Sequence, residues 1–194
     1  MISASALVSK SAKIADSAMI WDFSQVRNGA EIGENVIVGL GAYIGSEVHV
    51  GSNSKIQNYA LIYEPAFLEE GVFIGPGAIL TNDKFPRAIN EDGTRKSASD
   101  WQAAGVTIHQ GASIGAGAIC VAPLKIGKWA MVAAGSVVVD EVPDFALVAG
   151  TPARRIGWVC KCGHRLSSMN ESILECPIDG SSYRIHNGNE VSTS

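Results

Sequence analysis

The stretch of residues 31–51 reads EIGENVIVGLGAYIGSEVHVG, and every sixth residue within it is a large aliphatic. These residues are Ile32, Val38, Ile44 and Val50. An amphipathic helix repeats its apolar residues about every 3.6 positions and a strand about every 2, so neither explains a strict period of six. An internal repeat of this kind predicts a solenoid, in which short structural units stack on one another.

The same period extends in both directions from this stretch. Counting in sixes from Ile2 to Leu80 gives fourteen positions, and all of them are Ile, Leu or Val. The residue four places after each one is small or Val, from Ala6 to Ala78, and this rule first fails at Lys84. Each hexad therefore suits one short strand and one tight corner. Hexads have to stack, because a single one cannot bury its own apolar side chain.

The repeat stops over residues 83–105, which read DKFPRAINEDGTRKSASDWQAAG. This polar stretch contains Pro and Gly and predicts a loop that leaves one corner of the stack. A long loop inside a compact repeat is usually functional or disordered, and the aromatic residues Phe85 and Trp101 favour an ordered, functional loop. The period resumes at Ile108 and continues to Val138, with Cys120 at a core position as a small hydrophobe.

Composition sets the broad class of the 194-residue chain. The net charge of −4 and the pI near 5.5 argue against nucleic acid as the main partner. No apolar run reaches membrane-spanning length, and residues 1–10 lack the regions of a signal peptide. Three of the four cysteines lie close together near the end, unlike a secreted disulfide framework. The expectation is a cytoplasmic protein without a membrane or nucleic-acid partner.

Several segments together resemble the hexapeptide-repeat acyltransferase family. They are IWDFSQVR (20–27), KIQN (55–58), FIGPGAILTNDKFPRA (73–88), VAGTPARRIG (148–157) and GWVCKCG (157–163). Within that family they are most similar to the nucleotide-sugar 3-N-acetyltransferases, such as those that act on UDP-2-acetamido-3-amino-2,3-dideoxy-glucuronate. The resemblance covers about residues 2–165. It departs at Asp22 and Gln25, where many members of the group carry His.

The resemblance implies an all-β fold, a left-handed parallel β-helix shaped like a triangular prism. Three hexads then form one coil, so residues 18 apart lie on the same face, about 4.8 Å from each other. The predicted domains are a β-helix over residues 1–157 with the external loop 83–105, a degenerate zinc-ribbon-like appendage over 158–186, and a disordered tail over 187–194.

The implied reaction is acetyl transfer from acetyl-CoA to the 3-amino group of a nucleotide-linked amino sugar, in surface-polysaccharide biosynthesis. Two enzymatic alternatives remain open: 4-amino-sugar N-acetylation, and sugar or serine O-acetylation, with His109 as the base. A catalytically inactive β-helix scaffold is the non-enzymatic alternative.

The resemblance places Asn82 beside the amine that is acetylated. An amide can orient the nucleophile but cannot take its proton, so a separate base is needed. Glu64 lies 18 residues before Asn82, in the same predicted column, and Asp83 is adjacent in sequence. These three residues are the predicted catalytic group.

Further candidates follow from the chemistry of the two substrates. Arginine suits a diphosphate because its guanidinium binds oxygens in a bidentate way, and small residues leave room for a pantetheine arm. The predicted nucleotide-sugar residues are Arg27, Gln57, Asn58, Tyr63, Thr81 and Arg87. The predicted acetyl-CoA residues are Gly115, Lys125, Ala133, Ala134, Arg154 and Arg155. The resemblance also implies a homotrimer with sites at the subunit junctions.

The cysteine-rich end reads CKCG at residues 160–163 and CPIDG at 176–180, like the two knuckles of a zinc ribbon. Cys160, Cys162, Cys176 and Asp179 form the predicted metal set, with Asp179 at the place of a fourth cysteine. Cys₄ and Cys₃His are the usual structural zinc sites, so His164 is an alternative fourth ligand.

Overall fold

The computed structural model describes residues 1–186 and 190–193, and within that part of the chain every regular element is a β-strand. No helix there is long and apolar enough to cross a membrane. Most strands have two residues, because the hexad leaves the other four for a corner.

The strands in chain order are as follows. Before the loop they are β1 (Leu7–Val8), β2 (Lys13–Ile14), β3 (Met19–Ile20), β4 (Gln25–Val26), β5 (Glu31–Ile32), β6 (Ile37–Val38), β7 (Tyr43–Ile44), β8 (His49–Val50), β9 (Lys55–Ile56), β10 (Leu61–Ile62), β11 (Phe67–Leu68), β12 (Phe73–Ile74) and β13 (Ile79–Leu80). After the loop they are β14 (Val106–Ile108), β15 (Ser113–Ile114), β16 (Ile119–Cys120), β17 (Leu124–Ile126), β18 (Met131–Val132), β19 (Val137–Val138), β20 (Ala146–Gly150), β21 (Ala153–Trp158), β22 (Ser167–Ser168), β23 (Ile173–Glu175), β24 (Ser182–His186) and β25 (Glu190–Thr193).

Three parallel sheets form the walls of the prism. Sheet I has the order β1-β4-β7-β10-β13-β16-β19, and sheet II has β2-β5-β8-β11-β14-β17. Sheet III has β3-β6-β9-β12-β15-β18-β20, and β21 joins its end antiparallel. Each coil visits the three sheets in turn, which confirms the predicted parallel β-helix. We name the corners I–II, II–III and III–I after the two sheets that each one joins.

The register confirms the 18-residue spacing. Leu7 pairs with Gln25, and Leu61 pairs with Ile79, both 18 residues apart. Across the loop the spacing becomes 40, because Ile79 pairs with Ile119. The loop therefore adds 22 residues to one coil without changing how the coils stack.

The core is a single column of inward side chains. The aliphatic positions from Ile20 to Val138 are at most 3% exposed, and Cys120 is fully buried among them. Burial raises the pKa of the Cys120 thiol to about 12, so this cysteine is an inert hydrophobe, as predicted. Ile2, in the first described coil, forms a bridge to Ile20 in the next coil and is 50% exposed.

The predicted loop leaves corner I–II between β13 and β14. At its base the Ala104 N–H donates to the Asn82 carbonyl over 2.9 Å. Inside the loop, Ile89 and Arg95 form an antiparallel bridge. The loop is thus an ordered part of the fold, and a backbone hydrogen bond ties its two ends together at the corner.

The antiparallel pair β20–β21 covers the end of the stack, and a four-stranded antiparallel sheet of β22, β23, β24 and β25 follows. Tyr183 of this appendage packs edge-on against Phe145, with ring centroids 5.3 Å apart, and its hydroxyl accepts from the Lys161 N–H.

The expected disordered tail needs correction over residues 190–193. These residues form β25, in which Val191 pairs with Ile185 and is buried. One buried apolar residue and a ladder of backbone hydrogen bonds tie this polar segment to the sheet. The rest of the expected tail, residues 187–189 and 194, lies outside the described residues.

Candidate active site at corner I–II

Corner I–II carries the column of side chains that the spacing predicts. The backbone N–H of Arg27 donates to the carbonyl of Ile44 in the next coil, and that of Tyr63 donates to Leu80. Thr81 continues the column, and its N–H donates to Cys120 beyond the loop. The predicted residues Arg27, Tyr63 and Thr81 therefore lie on the same corner in the first, third and fourth positions of one column, with Gly45 in the second.

Glu64 is the least expected feature of this corner. Its Oε2 atom is buried and has no hydrogen-bond partner among the described residues. A buried acceptor left unpaired costs about 1–3 kcal/mol, so native proteins rarely keep one without a use. The arrangement calls for a hydrogen-bond donor that the described residues do not supply. A protonated or neutral amine would be such a donor.

Gly45, one coil before Glu64, makes room for this carboxylate. A Cβ at residue 45 would lie 2.3 Å from Glu64 Oε2. Any larger residue would push the carboxylate away from its position. The glycine of this hexad therefore shapes the site as well as the turn.

Tyr43 and Tyr63 form an aromatic wall beside Glu64. Their ring centroids are 5.2 Å apart, with the rings tilted by 44°. Burial raises the pKa of Tyr43, and the negative charge of Glu64 adds to the rise while Arg27 opposes it. Tyr43 thus keeps its proton at neutral pH and offers a hydroxyl donor. Tyr43 was not predicted from the sequence, although the 18-residue spacing puts it beside Gln25 and Leu61.

Thr81, Asn82 and Asp83 lie where the chain leaves the coil for the loop. The Thr81 hydroxyl accepts from the Ala122 N–H at 3.0 Å, which ties it to the coil above. The Asp83 carboxylate accepts from the Phe85 N–H at 2.8 Å and so shapes the first turn of the loop. Asn82 is half-buried between them. Of the two predicted bases, Glu64 is the one with a buried carboxylate oxygen that has no hydrogen-bond partner among the described residues.

The loop lines two open cavities next to this corner, of about 510 and 480 Å³. Both are lined by Asp83, Lys96 and Trp101, and the first also by Phe85. The cationic side chains of the two linings are Lys84, Arg87, Arg95 and Lys96. Of these four cationic residues, only Arg87 was predicted from the sequence. Four cations and two aromatic rings around one loop can bind phosphates and a flat ring.

Corner III–I carries a different subset of the predicted residues. Gly115 lies directly below Ala133 and Ala134, since a Cβ at residue 115 would be 2.4 Å from the Ala134 nitrogen. Gln57 and Asn58 follow β9 of sheet III and so belong to this corner as well. Both were predicted to bind the nucleotide-sugar. Within one chain they are not brought together with Tyr63 and Glu64, and the Asn58 Oδ1 accepts from Leu40 instead.

The predicted coenzyme-binding cations fall into two places. Arg154 and Arg155 pair with Ala149 and Val148 across β20–β21, at the end of corner III–I. Arg154 lies 3.2 Å from Asp140, and the Arg155 guanidinium stacks 4.4 Å from the Trp158 ring centroid. Lys125 is on sheet II, 4.0 Å from Glu141, and lies away from this corner.

Corner II–III holds a histidine and a carboxylate in contact. His109 Nδ1 lies 3.0 Å from Glu69 Oε1, and the other carboxylate oxygen accepts from the Gln110 N–H. The hydrogen bond with His109 is the main reason that the pKa of Glu69 is lowered, against a smaller opposing effect of burial. A carboxylate on one ring nitrogen orients the imidazole and leaves the other nitrogen for proton transfer.

Part of the β-helix is similar to a known family model. Residues 11–46 match the family model described as bacterial transferase hexapeptide (six repeats). The matched residues lie within the hexad repeat of the first coils.

Two relatives carry sequence similarity over about two fifths of the chain. The dTDP-3-amino-3,6-dideoxy-alpha-D-galactopyranose 3-N-acetyltransferase of Aneurinibacillus thermoaerophilus is 44% identical over 82 residues, which cover 42% of this chain and 41% of that protein. Serine acetyltransferase of Escherichia coli K12 is 37% identical over 84 residues, 43% of this chain and 30% of that protein. The chain thus matches less than half the length of either relative.

Among solved structures, the acetyltransferase domain of PglB from Neisseria gonorrhoeae FA1090, in complex with acetyl coenzyme A, is similar with a TM-score of 0.51. The match covers 80% of this chain and 56% of that one at 24% identity. Similarity at this level supports the shared fold.

Proposed function

We propose that this protein is an acetyl-CoA-dependent N-acetyltransferase that acts on the 3-amino group of a nucleotide-linked amino sugar, as a step in surface-polysaccharide biosynthesis. The observation that carries the proposal is the unpaired, buried Oε2 of Glu64 at the corner that also holds Asn82. The 3-N-acetyltransferase relative, which acts on a dTDP-linked amino sugar, supports the same substrate class.

At corner I–II the sugar amine donates a hydrogen bond to Glu64 Oε2, and the Asn82 side chain orients it for attack. The amine must be neutral when it attacks the thioester carbon. Glu64 accepts the proton that the amine loses as the new C–N bond forms, and the thiolate of CoA leaves. Holding the amine in line with the thioester supplies much of the acceleration, because the reaction becomes effectively unimolecular.

The loop cavities bind the nucleotide part of the substrate. Lys84, Arg87, Arg95 and Lys96 neutralise the diphosphate, and Phe85 and Trp101 offer flat apolar surfaces to the base. Tyr43 and Tyr63 contact the sugar between the loop and Glu64.

Acetyl-CoA lies along corner III–I, where Gly115, Ala133 and Ala134 leave a path for the pantetheine arm. Arg154 and Arg155, at the end of that corner, bind its phosphates. Corners I–II and III–I lie on opposite edges of sheet I in one chain. The acetyl donor of one subunit therefore meets the acceptor amine of a neighbour, and a homotrimer closes three such junctions.

The first test is a thiol-release assay with acetyl-CoA and a panel of 3-amino and 4-amino nucleotide-sugars. We expect turnover of a 3-amino sugar, with kcat/KM reduced about 100-fold or more in Glu64→Gln and in Asn82→Ala. Glu171→Gln, which removes an exposed carboxylate from the appendage, should behave as wild type.

The proposal fails if wild type acetylates no amino sugar, or if Glu64→Gln and Glu171→Gln are equally active. A folded protein without turnover on any acceptor would instead support the inactive scaffold.

A second candidate function rests on the Glu69–His109 pair. A histidine held by a carboxylate is a general base suited to a 4-amino or a hydroxyl acceptor, and the serine acetyltransferase relative acts on the latter kind. This reading predicts turnover of a 4-amino sugar, another sugar or serine, reduced about 100-fold or more in His109→Gln.

Glu69→Gln is the companion variant, because its amide can still contact the ring but no longer favours the imidazolium. Loss in both variants, with Glu64→Gln unaffected, would move the acceptor site to corner II–III. Unchanged activity in His109→Gln would exclude this candidate.

A further inference from the structure

Outside the proposed active site, Cys160, Cys176 and His164 lie around the sulfur of Cys162. Cys162 Sγ lies 2.8 Å from Cys160 Sγ and 3.5 Å from Cys176 Sγ. His164 Nδ1 lies 3.4 Å from the same Cys162 sulfur. All three cysteines are free thiols. Two stretches of chain thus meet here, residues 160–164 after β21 and Cys176 after β23.

We propose that Cys160, Cys162, Cys176 and His164 bind one zinc ion in a structural Cys₃His site. Tetrahedral zinc with Zn–S bonds of about 2.3 Å and Zn–N bonds of about 2.0 Å holds its ligand atoms roughly 3.5–3.8 Å apart. The separations of 3.4 and 3.5 Å fit that geometry, and the closer Cys160–Cys162 pair opens when the ion enters. Soft thiolates with one imidazole select zinc over magnesium or calcium.

In the proposed site, His164 takes the fourth position that the sequence prediction gave to Asp179. The Asp179 Oδ1 accepts from the Ser181 N–H at 2.9 Å and from the Ser181 hydroxyl at 2.6 Å. Both bonds use Oδ1 and close the turn after Cys176. Asp179 offers a carboxylate oxygen within 4.8 Å of the Cys162 and Cys176 sulfurs, so an Asp179 variant is part of the test.

The backbone around Cys160 is arranged as a metal-binding turn. The His164 N–H donates to the Cys160 sulfur at 3.2 Å, and the Gly163 N–H donates to the Cys160 carbonyl at 2.9 Å. Gly163 has φ of +84°, which a residue with a side chain rarely adopts. An N–H donor to sulfur stabilises the thiolate that binds the metal, as outer-shell partners commonly do.

The ion joins the end of the β-helix to the appendage. Cys160 follows β21, which closes the solenoid, whereas Cys176 directly follows β23 of the sheet of β22–β25. The appendage is small, and its core is limited to a few buried residues such as Leu174 and Tyr183. Domains of this size commonly need a metal or a disulfide to stay folded. A structural role follows, independent of the proposed catalysis.

The test measures zinc per chain by elemental analysis of the full-length protein, produced with added zinc and dialysed against metal-free buffer. We expect about one zinc per chain in wild type and in the matched variant Asp179→Asn. His164→Gln should bind zinc at least about tenfold more weakly, and Cys176→Ser should lose it. Zinc-free wild type titrated with Co²⁺ should develop the thiolate charge-transfer and visible bands of tetrahedral cobalt.

Two results would overturn the site. One is wild-type protein that binds neither zinc nor cobalt. The other is an Asp179→Asn variant that loses zinc while His164→Gln retains it, which would return the fourth position to Asp179. The cobalt spectrum is recorded on unmutated protein, so the test stands even where Cys176→Ser does not fold.

Discussion

Deleting residues 83–104 should yield a folded β-helix without catalytic activity. The deletion removes 22 residues, the number by which the Ile79–Ile119 spacing of 40 exceeds the normal 18. Leu80 and Ile108 then stand six residues apart, so the hexad count continues unbroken. The strands on both sides already stack in register, and each coil contacts only its neighbours.

The activity should fall by more than about 100-fold in kcat/KM, because the deletion removes the groups that position the substrate. Among them are Asp83, Arg87 and Lys96, which line the cavities under the loop. The thermal unfolding transition should remain cooperative and close to that of wild type. Circular dichroism and the thiol-release assay, run on the same preparations, give both quantities.

A full-length variant with Arg87, Arg95 and Lys96 changed to Ala is the matched control, because it keeps the loop but removes its charge. It should raise KM more than it lowers kcat, since binding of the diphosphate is lost first. A deletion variant that keeps wild-type activity would exclude the loop from the site. An unfolded one would show that the loop is needed for the stack.

The fold could be predicted from the sequence because a solenoid is a translational repeat. Once Ile32 and Val50 are placed in successive coils, the same spacing fixes the position of every other hexad. The spacing also predicted the column of Arg27, Tyr63 and Thr81. The stacking of the hexads and this column of residues both follow from the period alone. Neither requires knowledge of irregular long-range contacts, which are the hardest to predict from one sequence.

The contact between Glu69 and His109 was not predicted, because the 18-residue spacing was not applied across the loop. The two residues are 40 apart, which is 18 after the 22 inserted residues are subtracted. If the loop residues are counted as part of the coil, the two residues do not fall on the same corner. The hexad period also explains why Gln57 and Tyr63 lie apart. They are six residues apart, so they follow strands in two different sheets and lie at different corners of the same coil.

Other parts of the site could not be predicted, for physical reasons. The loop has no period, so nothing in the sequence brings Lys84 and Lys96 to one cavity. The unpaired oxygen of Glu64 depends on the exact rotamer of one side chain and on the space left by Gly45. The choice between His164 and Asp179 as the fourth ligand of the cysteine cluster depends on the positions of side chains in two turns, which residue spacing does not give.

Ile62→Ala should destabilise the fold by about 2–5 kcal/mol, whereas Ile2→Ala should cost less than about 1 kcal/mol. Both residues are the inward aliphatic of their hexad, so the sequence pattern treats them alike. Ile62 is 0% exposed and pairs with Ile44 on one side and Leu80 on the other. Ile2 is 50% exposed and forms a bridge only to Ile20.

Urea unfolding of the two variants and wild type, at one protein concentration, measures the difference. A fixed concentration is required because oligomer formation adds to the apparent free energy of unfolding. The cavity at residue 62 cannot collapse, since rigid coils enclose it above and below, whereas the end coil can relax around residue 2. Equal losses would mean that the first coil is packed as tightly as the middle. The stack would then need a further element that covers its N-terminal end.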